Sequence, residues 1–261
     1  MEYTDQIGHS FKLSQTPKRI ISLVPSQTEF LFDIGLAHEI VGITKYCIYP
    51  KDKVDNYVKI GGTKNISLSK IKALEPDLII ANKEENTKEI IGTLQALYPV
   101  YTSDISNLED ALQMMEDIGN LTQKQKETSK ILLEINQNFA KLGSQENEWK
   151  SIYLIWRKPW MSVGSDTFIH HLMMLGGFDN CFSDRKRYPI LTEEEIIHAN
   201  PQFIFLSSEP YPFKERHIKE LELLCPHSKI ILVDGEMFSW YGSRLKHSAD
   251  HMKQIRQNCQ E

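Results

Sequence analysis

The residues best equipped for chemistry in this chain are aromatic and cationic, and they gather in short stretches. Trp156-Arg157-Lys158-Pro159-Trp160 and Phe238-Ser239-Trp240-Tyr241-Gly242-Ser243-Arg244 carry three of the four tryptophans, and Glu209-Pro210-Tyr211 adds another ring. The first half offers Pro25-Ser26-Gln27, Lys45-Tyr46, the turn Gly61-Gly62-Thr63-Lys64-Asn65 and the stretch Ala81-Asn82-Lys83-Glu84-Glu85-Asn86. Large flat side chains with a few donors beside them suit a grip on a bulky, partly apolar ligand. Lys64, Arg157 and Arg244 are the candidate anchors for its polar groups, although Arg244 could instead cap sheet carbonyls or pair on the surface and the glycine turn that carries Lys64 could serve geometry alone. Trp156 directly follows an apolar strand and could pack its own core. Trp160 and Trp240 follow turn residues and are read as facing a ligand.

Signs of catalysis are thin. The chain has no GxSxG elbow, no Walker A loop, no GxGxxG after its first strand and no HExxH. His247 and His251 stand four residues apart with Asp250 nearby, a spacing that could hold a metal, but on a solvated terminal helix they read as surface residues. His170 and His171 are adjacent on a helix and point in different directions. Glu84-Glu85 reads as a solvated loop, and Glu193 to Glu195 as an acidic first helical turn. The expectation is a protein without enzymatic activity and without an intrinsic metal or cofactor.

Composition narrows the partners. With 261 residues, 41% hydrophobic and 25% charged, the chain has the balance of a globular protein able to bury proper cores. A net charge of −5 argues against nucleic acid and anionic membrane surfaces. No run of 18 apolar residues exists, and the first nineteen residues contain no apolar core of a secretory signal. Cys47, Cys181, Cys225 and Cys259 are scattered without CxxC spacing and fit a reducing compartment slightly better than a disulfide framework. The expectation at this point is either a cytoplasmic protein or one whose export segment lies outside this numbering.

The elements that must position these residues alternate. Arg19 to Val24, Glu39 to Thr44 and Asp77 to Asn82 read as buried strands, with helices from Pro25, Leu68, Glu89 and Leu108 between and after them. Strands alternating with helices imply parallel sheets covered on both faces, and in such sheets ligands gather beyond the carboxyl ends of the strands. The pattern restarts at Ser151 to Trp156 and continues through Thr167 to Leu175, Thr192 to Ala199, Gln202 to Ser207, Lys229 to Val233 and Ser243 to Gln257. A shift of 125 positions lays Leu68 to Asn82 over Glu193 to Ser207, with Pro76 on Pro201. Between the halves, Thr122 to Leu142 reads as one helix with Thr122 as N-cap, following an element closed by Gly119 and Asn120. Thr128, Ile131, Leu132, Ile135, Phe139 and Leu142 form a narrow apolar stripe on it. An ordinary crossover helix would look the same, but the repeat on either side favours a connector. The expected organisation is an α/β fold of two Rossmann-like lobes with parallel sheets: residues 1–121, a connecting helix over 122–143, and residues 144–261.

RIISLVPSQTEFLFDIGL, PDLIIAN, VGSDTFIHHLMMLGG and the closing WYGSRLKHSADHM resemble the type III periplasmic substrate-binding proteins of ABC importers. These are cobalamin, siderophore and haem receptors, also described as helical-backbone metal receptors. The similarity runs from Pro17 to Met252 and is closest to the vitamin B12-binding branch. It implies two α/β lobes joined by one long helix, with a metal chelate, cobalamin or a ferric complex, held in the cleft between them. It also implies an ABC permease as partner, a monomer, and a periplasmic or membrane-associated location. Tyr46 falls where that branch places an aromatic residue against the corrin, and Trp240 with Arg244 match its final cleft segment. Asn82 stands where the branch has a tryptophan, and Lys64 lies near another such position. Glu194 matches the acidic docking position of the second lobe, whereas Ser69 occupies the first-lobe position. The candidate ligand-binding set is Ser26, Tyr46, Lys64, Asn82, Trp156, Arg157, Trp160, Tyr211, Trp240, Tyr241 and Arg244. Two other functions remain open at this stage: a cytoplasmic enzyme acting on a tetrapyrrole or nucleotide, and a cytoplasmic binding module without a transporter.

Overall fold

The computed structural model describes residues 1–143 and 149–260. By mutual contacts the chain divides into two compact units: residues 1–105, 109–134 and 241–244 form the first, and 106–108, 135–240 and 245–261 the second. The expected lobe boundary at residue 144 lies outside the described residues.

The first unit opens with an unanticipated antiparallel hairpin, β1 (Glu2–Thr4) and β2 (Ser10–Lys12). It continues through β3 (Ile20–Ser22), α1 (Pro25–Asp33), β4 (Ile40–Ile43), β5 (Val58–Lys59), α2 (Leu68–Leu74), β6 (Leu78–Asn82), α3 (Lys88–Gln95), β7 (Val100–Ser103) and α4 (Leu108–Leu121). Its five-stranded sheet is parallel throughout, in the order β5-β4-β3-β6-β7. The strands β3, β6 and β7 are buried at every position, which is why they are written as continuous apolar runs. Strand order reverses at β3, which has β4 on one side and β6 on the other. The crossovers therefore diverge there and leave the carboxyl ends of β3 and β6 uncovered.

Next comes α5 (Gln125–Ala140), shorter at both ends than the helix expected over Thr122 to Leu142. Thr122 is no N-cap. Its hydroxyl donates to the Ile118 carbonyl at 2.7 Å and completes the last turn of α4. Gln123 then takes a left-handed φ of 57° and Lys124 N–H reaches back to the Gly119 carbonyl at 2.7 Å, a helix-ending turn usually built on glycine. Gly119 does not close its element but lies inside α4. Of the expected stripe, Thr128, Ile131, Ile135 and Leu142 are buried. The division into units falls within α5, between Glu134 and Ile135.

The second unit contains β8 (Trp149–Leu154), β9 (Trp160–Met161), α6 (Phe168–Leu175), β10 (Phe178–Asn180), β11 (Ile190–Leu191), α7 (Glu193–Ala199), β12 (Phe203–Ser207), α8 (Glu215–Leu224), β13 (Lys229–Val233), α9 (Glu236–Ser239) and α10 (Leu245–Gln260). Its parallel sheet has the order β10-β8-β12-β13, so strand order reverses at β8. The small strands β9 and β11, absent from the sequence reading, pair antiparallel as a separate ribbon.

The 125-residue repeat holds at the level of caps. Ser67 and Thr192 precede α2 and α7, Glu75 and Asn200 end them in left-handed conformations at φ 44° and 46°, and β6 and β12 follow at the same offset. Thr192 and Glu195 add a reciprocal capping box, with bonds of 3.2 and 2.8 Å.

A Cβ at Gly119 would lie 2.5 Å from Thr128 Oγ1 and 2.9 Å from its Cβ, so glycine lets α4 and α5 approach. Gly119→Ala should cost about 1–3 kcal/mol in urea unfolding, and adding Thr128→Ala should recover part of it; an unchanged midpoint would contradict the close packing.

Candidate functional site

In the first unit, α1 begins where β3 ends, with Pro25 at its first position and Ser26 and Gln27 buried. Gln27 Nε2 donates to Ser103 Oγ at 2.6 Å. Asn82, expected as a ligand contact, is consumed by the loop it begins. Its Oδ1 accepts from the N–H groups of Glu84 and Glu85 at 2.9 and 3.0 Å, and its Nδ2 donates to the Ser103 carbonyl at 3.2 Å and hydroxyl at 3.0 Å. Asn86 repeats the device: its Oδ1 accepts from Asn82 N–H, and its Nδ2 donates to the Thr63 carbonyl at 2.9 Å. That bond ties the glycine turn to the loop after β6. Polar groups satisfied in this way shape the rim and leave little for a ligand.

Tyr46 is the ring that remains on offer, 52% exposed just past β4. Lys45 Nζ stands 5.0 Å from its centroid, and a Cβ on Gly62 would come within 3.0 Å of Tyr46 Cε2. Glycine thus lets the ring rest on the turn. Lys64, on the same turn, is exposed.

Arg244 belongs to the Tyr241–Arg244 segment that groups with the first unit. It was expected to meet an anionic ligand, but a carboxylate of the fold faces it. Arg244 Nε and Nη2 donate to the two Glu29 oxygens at 2.9 and 2.6 Å, and the guanidinium lies 3.9 Å from the Tyr49 ring centroid. The two side chains are only 12% and 15% exposed. Tyr241 is buried, and a Cβ at Gly242 would stand 2.8 Å from the Ser26 carbonyl, so this segment is laid directly on the start of α1.

In the second unit the tryptophans divide. Trp160 is buried, stacked on Phe213 at 6.3 Å and 4° within the core that includes Leu191, Ile196 and Ile204. That corrects its assignment as a ligand-facing ring. The ribbon explains why. Leu191 opposes Trp160, while Ile190 and Trp156 both oppose Met161. Residues paired across antiparallel strands share a face, so Trp160 and Leu191 turn inward and Trp156, Met161 and Ile190 form an outward strip. Trp156 is 40% and Ile190 60% exposed. Ile190 and Met161 were missed by sequence reasoning. The only signal was a two-residue alternation too short to register.

Trp156 meets Tyr211 edge-on at 5.5 Å, so the sheet brings together two candidates 55 residues apart. Arg157 sits 5.3 Å over Trp160, and its Nε donates to Glu220 Oε2 at 2.7 Å while its Nη2 pairs with the other oxygen. Hydrogen bonding to Glu220 raises its pKa. Trp240 is buried, with Nε1 donating to Glu209 Oε1 at 2.9 Å, an oxygen that also accepts from Ser239 at 2.6 Å. Glu194 is exposed in the first turn of α7, and backbone amide and Thr192 hydrogen bonds hold its carboxyl below the usual range. Its counterpart Ser69 is exposed, 3.1 Å from the Ser67 hydroxyl.

Among the described residues no group of three or more His, Cys, Asp or Glu could hold a metal. His251 is not the solvated surface group expected; its ring lies 6.0 Å from Phe238, and burial lowers its pKa. His170 accepts from Asn180 Nδ2 at 3.2 Å and is likewise lowered by burial. The four cysteines are free thiols.

Two tests follow from these contacts. Glu29→Gln should destabilise the protein by about 3 kcal/mol by stranding the Arg244 charge, and Glu29→Gln with Arg244→Met should recover much of it. For pH, a neutral buried histidine adds no dependence above the unfolded pKa of about 6.5. Below it the unfolded chain binds protons that folded His251 and His170 resist, so stability should fall with pH until their depressed folded values are passed. Urea midpoints between about pH 7.5 and 5 should show this slope, and His251→Leu should reduce it, leaving the share of the other buried histidines.

Residues 20–224 match the family described as "Periplasmic binding protein". An uncharacterized ABC transporter substrate-binding lipoprotein of Bacillus subtilis is 26% identical over 212 residues, covering 77% of this chain and 67% of that protein. A vitamin B12-binding protein of Vibrio parahaemolyticus is 26% identical over 195 residues, covering 73% and 70%. The fold is shared with the periplasmic vitamin B12 binding protein of Vibrio cholerae at a TM-score of 0.80 and 21% identity, over 94% of this chain and 99% of that one. A periplasmic heme-binding protein in complex with two hemes aligns at 0.79 and 18% identity, over 94% and 99%. With two parallel α/β units, rims of exposed aromatic residues and a match over most of its length, this chain belongs to the periplasmic binding protein family, as a binding protein and not an enzyme.

Proposed function

We propose that this protein is the solute receptor of an ABC importer and that it holds a bulky metal-bearing ligand, a cobalamin-like corrinoid or a ferric chelate such as haem. The observation that carries this reading is exposed aromatic and apolar surface at the carboxyl ends of both sheets: Tyr46 after β4, and Trp156 and Ile190 with the half-buried Met161 between them beyond β8. Flat, weakly solvated surface exposed at these positions favours a large planar ligand over a small polar solute. The relatives point the same way, since several are named for vitamin B12, haem or iron. The metal arrives with the ligand and the protein contributes no cofactor of its own. The receptor works as a monomer outside the cytoplasmic membrane, in keeping with a relative named as a lipoprotein and structures named as periplasmic.

The permease is the second partner. Glu194 is its contact on the second unit, and Ser69 offers a hydroxyl where a symmetric pair would need a second acid, so docking leans on α7.

Titrating cyanocobalamin, hemin and a ferric siderophore against tryptophan fluorescence should give saturable quenching with at least one of them. Tyr46→Ala should weaken that ligand about ten-fold, equivalent to about 1.4 kcal/mol, and Trp156→Phe should remove much of the quenching. Silence toward all three would reject the reading.

A further inference from the structure

Asn180 ends β10 in a buried position, and its amide is bonded at both ends. Oδ1 accepts the Phe182 N–H at 3.1 Å, while Nδ2 donates to the Val163 carbonyl at 2.8 Å and meets His170 Nδ1 at 3.2 Å. The two backbone partners fix which end of the amide is which. Turned over, it would set N–H against the Phe182 N–H and oxygen against the Val163 carbonyl. Nδ2 therefore donates to His170, whose Nδ1 is an unprotonated acceptor, and the neutral ring carries its proton on Nε2.

This bond stands behind the ribbon that carries the outward strip. Val163 lies just past Met161, the last residue of β9. On either side of it the pairing with the segment before β11 continues: Ser162 N–H donates to the Pro189 carbonyl at 3.0 Å, Gly164 N–H to the Arg187 carbonyl at 2.7 Å and Ser165 N–H to the Arg185 carbonyl at 2.9 Å. Thr167 Oγ1, which caps α6 by accepting the His170 N–H at 3.2 Å, donates to the Gly164 carbonyl at 2.8 Å. Two neighbouring ribbon carbonyls are thus bonded from behind, Val163 by Asn180 and Gly164 by Thr167.

An imidazolium has donors at both nitrogens, so no rotation of the ring would offer Asn180 an acceptor. The amide cannot turn either, for the reason given above. One proton on Nδ1 sets N–H against N–H and drives the two side chains apart. The ring is half-buried, and solvent supplies that proton. Burial foremost, then Lys186 from the segment before β11, lowers the His170 pKa, while Asp179 of β10 and Asp166 before α6 oppose them. The bond is therefore intact at neutral pH and is lost only in acid.

We propose that His170 and Asn180 form an acid-released latch on the β9–β11 ribbon: closed, it holds Trp156, Met161 and Ile190 in register for the ligand, and protonation of Nδ1 loosens Val163 and lowers the affinity of the strip. Only the ligand half of this inference rests on the receptor reading of the preceding subsection; the latch itself belongs to the ligand-free protein. By reciprocity, a ligand held on the closed form makes His170 harder to protonate.

Hydrogen exchange of the ligand-free protein reads the latch. The protein is compared with His170→Asn, whose side-chain oxygen stands near the place of Nδ1 and does not titrate, and with His170→Leu, which has no acceptor. Rates are taken at about pH 7.5 and pH 4.5, on either side of the ordinary histidine value, each relative to the intrinsic rate at that pH. In acid the Ser162 and Gly164 amides of the unsubstituted protein should lose about ten-fold in protection, the scale of one hydrogen bond. His170→Asn should stay protected at both pH values, and His170→Leu should be weakly protected at both. Equal loss of protection in the unsubstituted protein and His170→Asn, or full protection in His170→Leu, overturns the latch. Titrations with cyanocobalamin, hemin and a ferric siderophore over the same interval should show an affinity that falls in acid and is held by His170→Asn; a fall that His170→Asn shares overturns the coupling to ligand. Acid-dependent protection in a protein that takes up none of the three leaves the latch standing and rejects the receptor reading, whereas binding with protection that ignores pH does the reverse.

Discussion

A parallel strand can be followed by its neighbour only through a crossover that returns the chain to the same end of the sheet. In both units the crossovers set out to one side of a first strand and then switch to the other, at β3 and at β8. No connection can cover the carboxyl ends where they part, and the loops that begin there become the molecule's functional rims. Of the candidate residues, Tyr46, Lys64, Trp156, Arg157 and Tyr211 lie on segments that follow strands of these sheets. Short strands suffice, since β3 and β6 are buried along their whole length and burial rather than strand length holds them.

What a rim offers a ligand is what its own hydrogen bonding leaves over. Asn82 and Asn86 spend their amides on the backbone, Arg244 is matched by Glu29, Arg157 by Glu220, and Trp240 donates to Glu209. The groups left facing outward are largely flat and apolar: Tyr46, Trp156, Met161 and Ile190. This is a different division from the one residue types suggest. Cations that looked like ligand anchors brace the rim, and two aliphatic side chains with no obvious chemistry enlarge the surface presented. Preorganising aromatic groups on satisfied loops lowers the entropy lost on binding, which favours a rigid, bulky ligand.

The internal repeat shows how local chemistry can be reused. A cap, a seven-residue helix, a left-handed C-cap and a five-residue strand recur at the same offset in the two units. The two copies differ where a partner would feel it, with Ser69 and Lys70 in one and Glu194 and Glu195 in the other. Such a pattern separates the residues that build the unit from those free to diverge.

By itself the sequence determined the alternating α/β plan, the buried strands, the repeat and the family, because each rests on hydrophobic periodicity or on motifs continuous in the chain. It also marked Tyr46 and Trp156 correctly as residues of loops beyond strands. Tertiary structure alone decided which candidates are consumed and which are presented. Trp160 and Trp156 stand four residues apart, yet the pairing of β9 with β11 sends one inward and leaves the other outward. The break at Gln123 was hidden because a non-glycine residue takes the left-handed conformation there, a position the sequence does not mark with glycine. Burial and pairing depend on partners far away in the chain, and a one-dimensional pattern does not encode which partner a side chain meets.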